Sequence, residues 1–435
     1  MHFHKYPHAA NFEFAAAIRN GRTIETRLGV SRLTVRPSAI DVYHLQIKGK
    51  GWETNESQAG LSFAEARARD VPPGGTRLTI GADASLLLED ASGRALLTSR
   101  PGRFFGQCGP ASIFEFDRQN GDQFYGLGEK WTGFEHSNKT TKFWNTDICA
   151  DFNPRSFEDG KPAPDPAYVS IPYLILRRGD LFIGFLLDNP YATFISTSLK
   201  ASIAGQMDLD EGAAAFAKTI AEADEDQRAP APSGTIHLGA EMGQPNLYLL
   251  VGPSLPELTR KLQGLVGTTP RPPAWALGYH QCRWGYQSEK DLRGLDRKFR
   301  EHGIPADGLW LDIDYMRGFR VFTFDKKHFP DPAKAMARLE KAGHEVVPII
   351  DPGVKFEPGY DVYDRGHAAG AFCRNPQGAE YVGLVWPGQT VFPDFSMPSA
   401  RAWWAQEVAE FARLGIHGAW LDMNDPSTGP IDNEQ

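Results

Sequence analysis

Cysteine is scarce in this sequence. Cys108, Cys149, Cys282 and Cys373 are scattered, and no two form a CxxC pair. That spacing excludes a zinc ribbon and a thioredoxin-type motif, and the four read as free thiols in a reducing compartment, with a single bridge left open. Long apolar runs are missing too: nothing approaches the roughly 20 residues of a membrane-spanning helix, so no membrane partner is expected. The opening MHFHKYPHAANFEF lacks the basic-then-apolar layout of a secretory signal. A cytoplasmic location is therefore expected, with a periplasmic or secreted one left open. Positive charge is in deficit, with a formal net charge of −8, which argues against a nucleic-acid partner. His2, His4 and His8 read as a tail rather than a metal set. A homo-oligomer is compatible with this composition.

Up to residue 245 the sequence consists of short apolar or alternating runs, such as TRLTIGADASLLLED and SIPYLILRRGDLFIGFLLDNPYATFIS, broken by Gly, Pro, Asn and Asp. Many short strands with frequent turns indicate an antiparallel β-sandwich over 1–245. In 246–274, PSLPELTRKLQGLVG predicts a helix with Leu255, Leu258, Leu262 and Leu265 on one face, and TTPRPP is a stiff linker.

From Trp275 the pattern changes. WALGYHQCRW, ADGLWLDIDY, HEVVPIIDPG and HGAWLDMN read as strands. Between them lie three helices: SEKDLRGLDRKFREHG, with a Ser288/Asp291 capping box; DPAKAMARLEKAG, capped by Asp331; and SARAWWAQEVAEFARLG, with Trp404, Val408 and Phe411 on one side. Strands alternating with helices make a parallel sheet. The rival architecture, a doubly wound open sheet, usually shows a Gly-rich phosphate loop after its first strand, and CRWGYQSEK is not one. The fold class expected is an antiparallel sandwich followed by the first four βα units of a (β/α)₈ barrel over 275–435.

Two hexapeptides in that second region nearly repeat: WLDIDY from Trp310 and WLDMND from Trp420. Alternation puts Trp310, Asp312 and Asp314 on one strand face and Leu311 and Ile313 on the other. The carboxyl ends of barrel strands carry the active site, and Asp312, Asp351 and Asp422 all fall there, with Asp312 and Asp422 expected at a similar height. Simpler roles remain open for some of them: a loop cap for Asp314, barrel filling for Trp310, a turn before Pro352 for Asp351. Carboxylates walled by Trp284, Trp310, Trp386 and Trp420 suit three uses: retaining sugar hydrolysis, a divalent metal site, or sugar binding without chemistry. The Trp wall, together with the lack of HxH or ExxH spacing on these strands, favours sugar.

Several motifs then resemble glycoside hydrolase family 31, on its α-glucosidase branch. WLDIDYMRGFRVFTFDKKHFPDP and WLDMNDPS resemble its two signature regions. FYGLGEK, WNTD, SIPYLI, WALGYHQCRWGY, IIDPGV and VWPGQTVFPDF follow in the family's order, so the resemblance covers residues 120–430. It implies exo-hydrolysis of α-linked glucose from oligosaccharides with retention, no metal and no cofactor. It makes Asp422 the nucleophile, with Asp425 beside it as a supporting carboxylate. It makes Asp312 and Asp351 hydroxyl-binding groups, and it lines the glucose subsite with Ile349, Trp386, Trp420 and Met423. Trp284 and Asp147 match positions at the margin of that subsite. The residues alone would allow Asp312 as the acid; the resemblance makes it a substrate ligand. α-Xylosidase or transglucosidase activity within the family, or sugar binding alone, are the alternatives.

Two departures from the family pattern stand out. The motif usually reads Asn-Glu-Pro where this sequence has Asn424-Asp425-Pro426. The family's acid/base Asp follows the fourth strand, and about 160 residues follow Trp275 where a barrel takes about 250. The expectation is a piece of a longer enzyme, inactive and poorly soluble alone.

Overall fold

The computed structural model describes residues 18–20, 23–28, 31–49, 52, 74–108, 110–131, 133–146, 165–166, 168–197 and 234–428. These fall into two compact units, Met1–Thr268 and Thr269–Gln435.

The first unit is built on antiparallel sheets. An eight-stranded sheet runs in the order Ile18–Asn20, Thr23–Leu28, Ser31–Ala39, Val42–Lys48, Asn246–Gly252, Leu181–Leu187, Tyr173–Arg178, Gln123–Gly126. A five-stranded sheet runs Thr140–Phe143, Thr193–Ser196, Gly234–Ala240, Ala111–Arg118, Phe105–Cys108. Alternate residues of both sheets meet in one apolar core, where Leu33, Leu45 and Phe185 face Phe114, Phe116 and Leu238. The Phe116 and Phe185 rings cross between the sheets with centroids 5.2 Å apart.

Asn246–Gly252 corrects the expected division at 245: it is a fully buried strand paired on both edges, with Val42–Lys48 and Leu181–Leu187. After Asn246 it is apolar on both faces because the helix Leu255–Val266 covers the second face with Leu258 and Leu265. Lys261 Nζ fastens that helix by donating to the Val251 carbonyl at 2.6 Å. Leu255, expected on the apolar face, is 44% exposed because it opens the first turn.

The second unit has four parallel strands, β1 (His280–Gln281), β2 (Gly308–Leu311), β3 (Glu345–Ile350) and β4 (Trp420–Leu421), paired in that order. The connecting helices are α1 (Glu289–Glu301), α2 (Pro332–Lys341) and α3 (Pro398–Ala412). The arrangement is a partial barrel. Among the described residues no helix is long and apolar enough to cross a membrane.

The expected caps are present. Ser288 Oγ accepts from Asp291 N at 3.3 Å and donates to its Oδ2 at 2.7 Å, and Asp331 Oδ1 accepts from Lys334 N at 3.1 Å. The buried line of α3 is Trp403, Glu407 and Phe411 rather than Trp404, Val408 and Phe411. Glu407 tolerates burial because Arg365 donates to it through Nε and Nη2, both at 2.7 Å. An excursion between β3 and α3 holds the helix Asp361–Ala368 and a small antiparallel sheet of Val354–Lys355, Gly388–Val391 and Val382–Val385.

One buried ion pair offers a direct test of the sandwich. The Asp122 side chain is wholly buried. Its carboxylate receives Arg178 Nε at 2.8 Å and Nη2 at 2.7 Å, while Arg178 Nη1 donates to the Leu96 carbonyl at 2.7 Å. Removing the guanidinium leaves a buried charge uncompensated, so Arg178→Met destabilises the unit by about 3–5 kcal/mol, measured by denaturant unfolding. A loss below about 1 kcal/mol would place the pair in the weak class of exposed ion pairs.

Candidate active site

The carboxylates sit where three adjacent strands stop. β2 ends at Leu311, and Asp312 caps a short 3₁₀ turn, Ile313–Tyr315, by accepting from Ile313 N at 2.7 Å. The alternation in WLDIDY persists past the strand: Leu311 and Ile313 enter the core, while Trp310, Asp312 and Asp314 are half-buried. β3 ends at Ile350, immediately before buried Asp351. β4 ends at Leu421, and Asp422 Oδ1 accepts from Met423 N at 2.9 Å.

Register relates these strand ends. Ile350 pairs with Leu421, so the next residues, Asp351 and Asp422, are level. Leu311 pairs with Pro348 and Ile349 with Trp420, so Asp312 shares the layer of Ile349 and Trp420. Asp312 therefore lies two residues before Asp422 in register, about 7 Å along the strand direction, and because barrel strands are tilted and staggered this offset is not a difference in height at the barrel mouth. Their fields still overlap. Burial and then the neighbouring charges of Asp422 and Asp312 push the Asp351 carboxyl up to about 7. Burial, with Asp314 and Asp422 adding to it, also raises Asp312. Asp351 Oδ1 is buried with no hydrogen-bond partner, an acceptor left open on the floor of the site.

Aromatic groups form the walls. The Trp310 and Trp420 rings lie 5.8 Å apart, and those of Trp284 and Trp386 lie 6.4 Å apart. Trp284 is 65% and Trp386 50% exposed, so both offer open ring surface. Trp386 Nε1 donates to Met423 Sδ at 3.1 Å, which joins the outer wall to the residue after Asp422. Met423 takes a left-handed backbone (φ 60°) that turns the chain directly after the carboxylate. Ile349 is 2% exposed and its carbonyl accepts from Tyr315 Oη at 2.8 Å; two residues before Asp351 and paired with Trp420, it lies on the strand face that carries the carboxylate. Asp425 accepts from Ser427 Oγ at 3.0 Å. Asp147 lies outside the described residues.

Sequence reasoning missed four neighbours. Tyr315 is fully buried, and its hydroxyl is raised by burial and then by Asp351. Cys282 is exposed, its thiol pushed up by burial and by the Asp312 charge. His280 Nδ1 accepts from Trp310 Nε1 at 3.0 Å. The Phe319 ring stands 6.2 Å from that of Trp386. Proximity to an expected carboxylate was the available signal for Tyr315; the others carried none.

Among the described residues, one group of His and carboxylates has ligand atoms within 4.8 Å of one another: Glu340, Glu345 and His417. It sits at the opposite end of β3, where His417 Nδ1 and Glu345 Oε2 pair at 2.7 Å, and takes no part in the carboxylate site.

Comparison with known proteins agrees with this geometry. Residues 269–435 match the model of the glycosyl hydrolases family 31 TIM-barrel domain, and residues 17–195 match that of the glycosyl hydrolase 31 N-terminal galactose mutarotase-like domain. The chain is 36% identical over 340 residues to Alpha-glucosidase 2 of Bacillus thermoamyloliquefaciens, covering 78% of this chain and 38% of that protein. It is 33% identical over 263 residues to human Neutral alpha-glucosidase C, covering 60% of this chain and 28% of the relative. It thus spans well under half the length of these relatives. The Flavobacterium johnsoniae GH31 dextranase in complex with isomaltotriose shares the fold, with a TM-score of 0.79 at 20% identity over 97% of this chain and 49% of that one. With both family domains matched in order, and with the signature carboxylates gathered at the ends of adjacent barrel strands, the chain belongs to glycoside hydrolase family 31.

Proposed function

We propose that this protein serves a retaining, exo-acting α-glucosidase that removes terminal α-linked glucose from oligosaccharides. The observation that carries the reading is the convergence of Asp312, Asp351 and Asp422, coupled through their charges, at the ends of adjacent strands beside paired Trp rings. A pyranose ring presents hydroxyls that carboxylates bind strongly and an apolar face that indoles cover. The α-glucosidase relatives support the choice of sugar.

In this mechanism an Asp422 carboxylate oxygen attacks the anomeric carbon as the glycosidic C–O bond breaks, giving a β-linked glucosyl ester. Water then attacks the same carbon from the opposite face, and α-glucose leaves. The leaving oxygen must be protonated in the first step, and that role is not assigned to any described residue. Asp422 suits the nucleophile's part because it is half-exposed at the end of β4, with one oxygen held by the Met423 amide. Asp312 and Asp351 hold hydroxyls at the non-reducing end. Trp420 and Trp386 shape the subsite, with Trp284 at its margin. Asp425, one carbon shorter than the family's usual Glu, supports Asp422 from the following turn.

Asp351 carries a cost that can be measured. Its carboxyl sits at about 7 in the folded protein against an ordinary 3.8. Folding therefore retains its proton where the unfolded chain releases it. The stability this proton confers is full below about pH 4 and falls as pH rises toward 7. Above that it is gone, a swing of roughly 4 kcal/mol. A buried acceptor that is unfavourable in the empty site is a group poised for a substrate hydroxyl.

Two outcomes check the proposal. In a version of the length of its α-glucosidase relatives, Asp422→Ala lowers turnover of a nitrophenyl α-glucoside by about three orders of magnitude or more, and NMR of the wild-type reaction shows α-glucose as the first product; retained activity in the variant, or β-glucose first, removes the mechanism. Saturable maltose binding without glucose release would identify a sugar binder instead. Asp351→Asn lacks the titrating group, so it gains stability over the wild type at pH 8 relative to pH 4, read by unfolding at both. A difference that stays constant between the two pH values would show that Asp351 titrates normally.

A further inference from the structure

The segment Arg317–Thr323, immediately after the turn bearing Asp312 and Asp314, is held in a backbone conformation that its sequence does not favour. Phe319 (φ 59°) and Phe322 (φ 60°) both lie in the left-handed region, next to Gly318 (φ 57°). Bulky side chains seldom adopt it, and such conformations persist only where surrounding contacts over-determine them. The contacts are on view. Arg317 N donates to Thr323 Oγ1 at 3.1 Å, and that hydroxyl donates to the Arg320 carbonyl at 2.6 Å. The Phe322 ring packs 4.9 Å from Trp404 and 5.7 Å from Phe411.

The remaining restraint comes from outside the segment. Arg320 Nε donates to Glu357 Oε2 at 2.7 Å and Nη2 to Oε1 at 2.9 Å, while Nη1 turns back to the Arg317 carbonyl at 3.1 Å. The guanidinium thus closes its own loop and grips a carboxylate from the excursion after β3. Glu357 follows the strand Val354–Lys355, whose sheet also carries the turn bearing Trp386. That turn is tied back next to Glu357: Phe356 N donates to the Gln389 carbonyl at 2.9 Å and Lys355 Nζ to the Pro387 carbonyl at 3.1 Å. The Phe319 ring, presented by its left-handed backbone, stands 6.2 Å from that of Trp386, and Trp386 in turn touches Met423 beside Asp422.

We propose that the Arg320–Glu357 pair is a positioning clamp for the sugar subsite. It locks the loop after Asp312 to the excursion after Asp351 and seats Phe319 as the backstop of Trp386. Neither residue touches the reacting atoms. The clamp fixes the distance between the hydroxyl-binding carboxylates and the indole that faces them, so it governs how tightly the glucosyl ring is held rather than the bond-making step. A bidentate fork is the suitable device, because it sets orientation as well as distance. The sugar-dependent part of the inference rests on the α-glucosidase reading; the mechanical part does not.

The test therefore has two arms, run on wild type, Arg320→Met, Arg320→Lys and Glu357→Gln. Hydrogen–deuterium exchange reads the clamp itself: in Arg320→Met, peptides spanning 316–324 and 382–391 exchange faster, while peptides of the sandwich do not change. Kinetics with maltose reads its purpose: KM rises about tenfold with kcat nearly held, and Arg320→Lys, which keeps the charge but loses the fork, falls between. Unchanged exchange at 382–391, or a loss of kcat with KM unaltered, overturns the clamp. If Arg320→Met fails to fold, Glu357→Gln decides by the same readouts. If wild type neither binds nor cleaves maltose, the reading of the site fails, and the exchange arm alone decides the clamp.

Discussion

The constraint on which the second unit depends is the meeting of three like-charged groups in a partly dry space. Burial raises the affinity of Asp351 and Asp312 for protons, and the charge of Asp422 adds to it at both, as does that of Asp312 at Asp351. Left to itself a chain would separate such groups or expose them, since two carboxylates in one low-dielectric site cannot both ionise freely. They stay together because the backbone that carries them is held from below. Leu309 and Leu311 of β2, Val346 and Ile350 of β3, and Met336, Leu339 and Phe411 from the helices form one apolar cluster beneath the strand ends. The core overrules the electrostatics of its own rim.

That support is specific as well as massive. Tyr315, on the turn after Asp312, is fully buried and donates to the carbonyl of Ile349. One hydrogen bond thereby ties the ends of β2 and β3 just where their carboxylates begin. Ile349 takes part in this brace through its backbone carbonyl, while its side chain belongs to the apolar cluster against which Trp420 packs. Trp310 and His280 make a parallel tie one layer lower, between β1 and β2. The aromatic side of the site is held less firmly: Trp284 and Trp386 are half or more exposed, and their rings meet at a tilt with centroids 6.4 Å apart. A rigid carboxylate floor under a more accommodating indole wall suits a ligand whose hydroxyl stereochemistry must be read while its ring is gripped.

Much of this was legible in the letters, and the exceptions have physical reasons. The strand–helix rhythm, the caps at Ser288 and Asp331 and the carboxylates at strand ends are local signals, carried by spacing and side-chain type within a few residues. The register that relates Asp312 to Asp422 is not written in either hexapeptide, because register is a relation between strands. WLDIDY and WLDMND look interchangeable, yet one pairs through Leu311–Pro348 and the other through Ile349–Trp420. The expected boundary at 245 falls one strand short because Asn246–Gly252 joins the sheet only through Val42–Lys48 and Leu181–Leu187, segments far away in the chain. Phe319 left no trace at all. Its left-handed backbone stands beside Arg320, whose partner Glu357 is 37 residues further along the chain, and no Gly or Asn occupies the position.

The same distinction explains why the site looks overbuilt when empty. Asp351 keeps an unpartnered oxygen where folding alone would favour a neutral amide or an apolar side chain, and Phe319 keeps a backbone that folding alone would relax. Each feature is unfavourable on its own and intelligible only with a ligand in view: the open acceptor meets a hydroxyl, and the displaced ring backs an indole that meets the sugar's apolar face. A purely structural account of residues 310–323 would have to treat both as accidents falling within one short segment and its neighbours. Under the proposed α-glucosidase reading a sugar between floor and wall accounts for them together, because binding would supply the hydrogen bond that Asp351 lacks and load the wall beside Phe319.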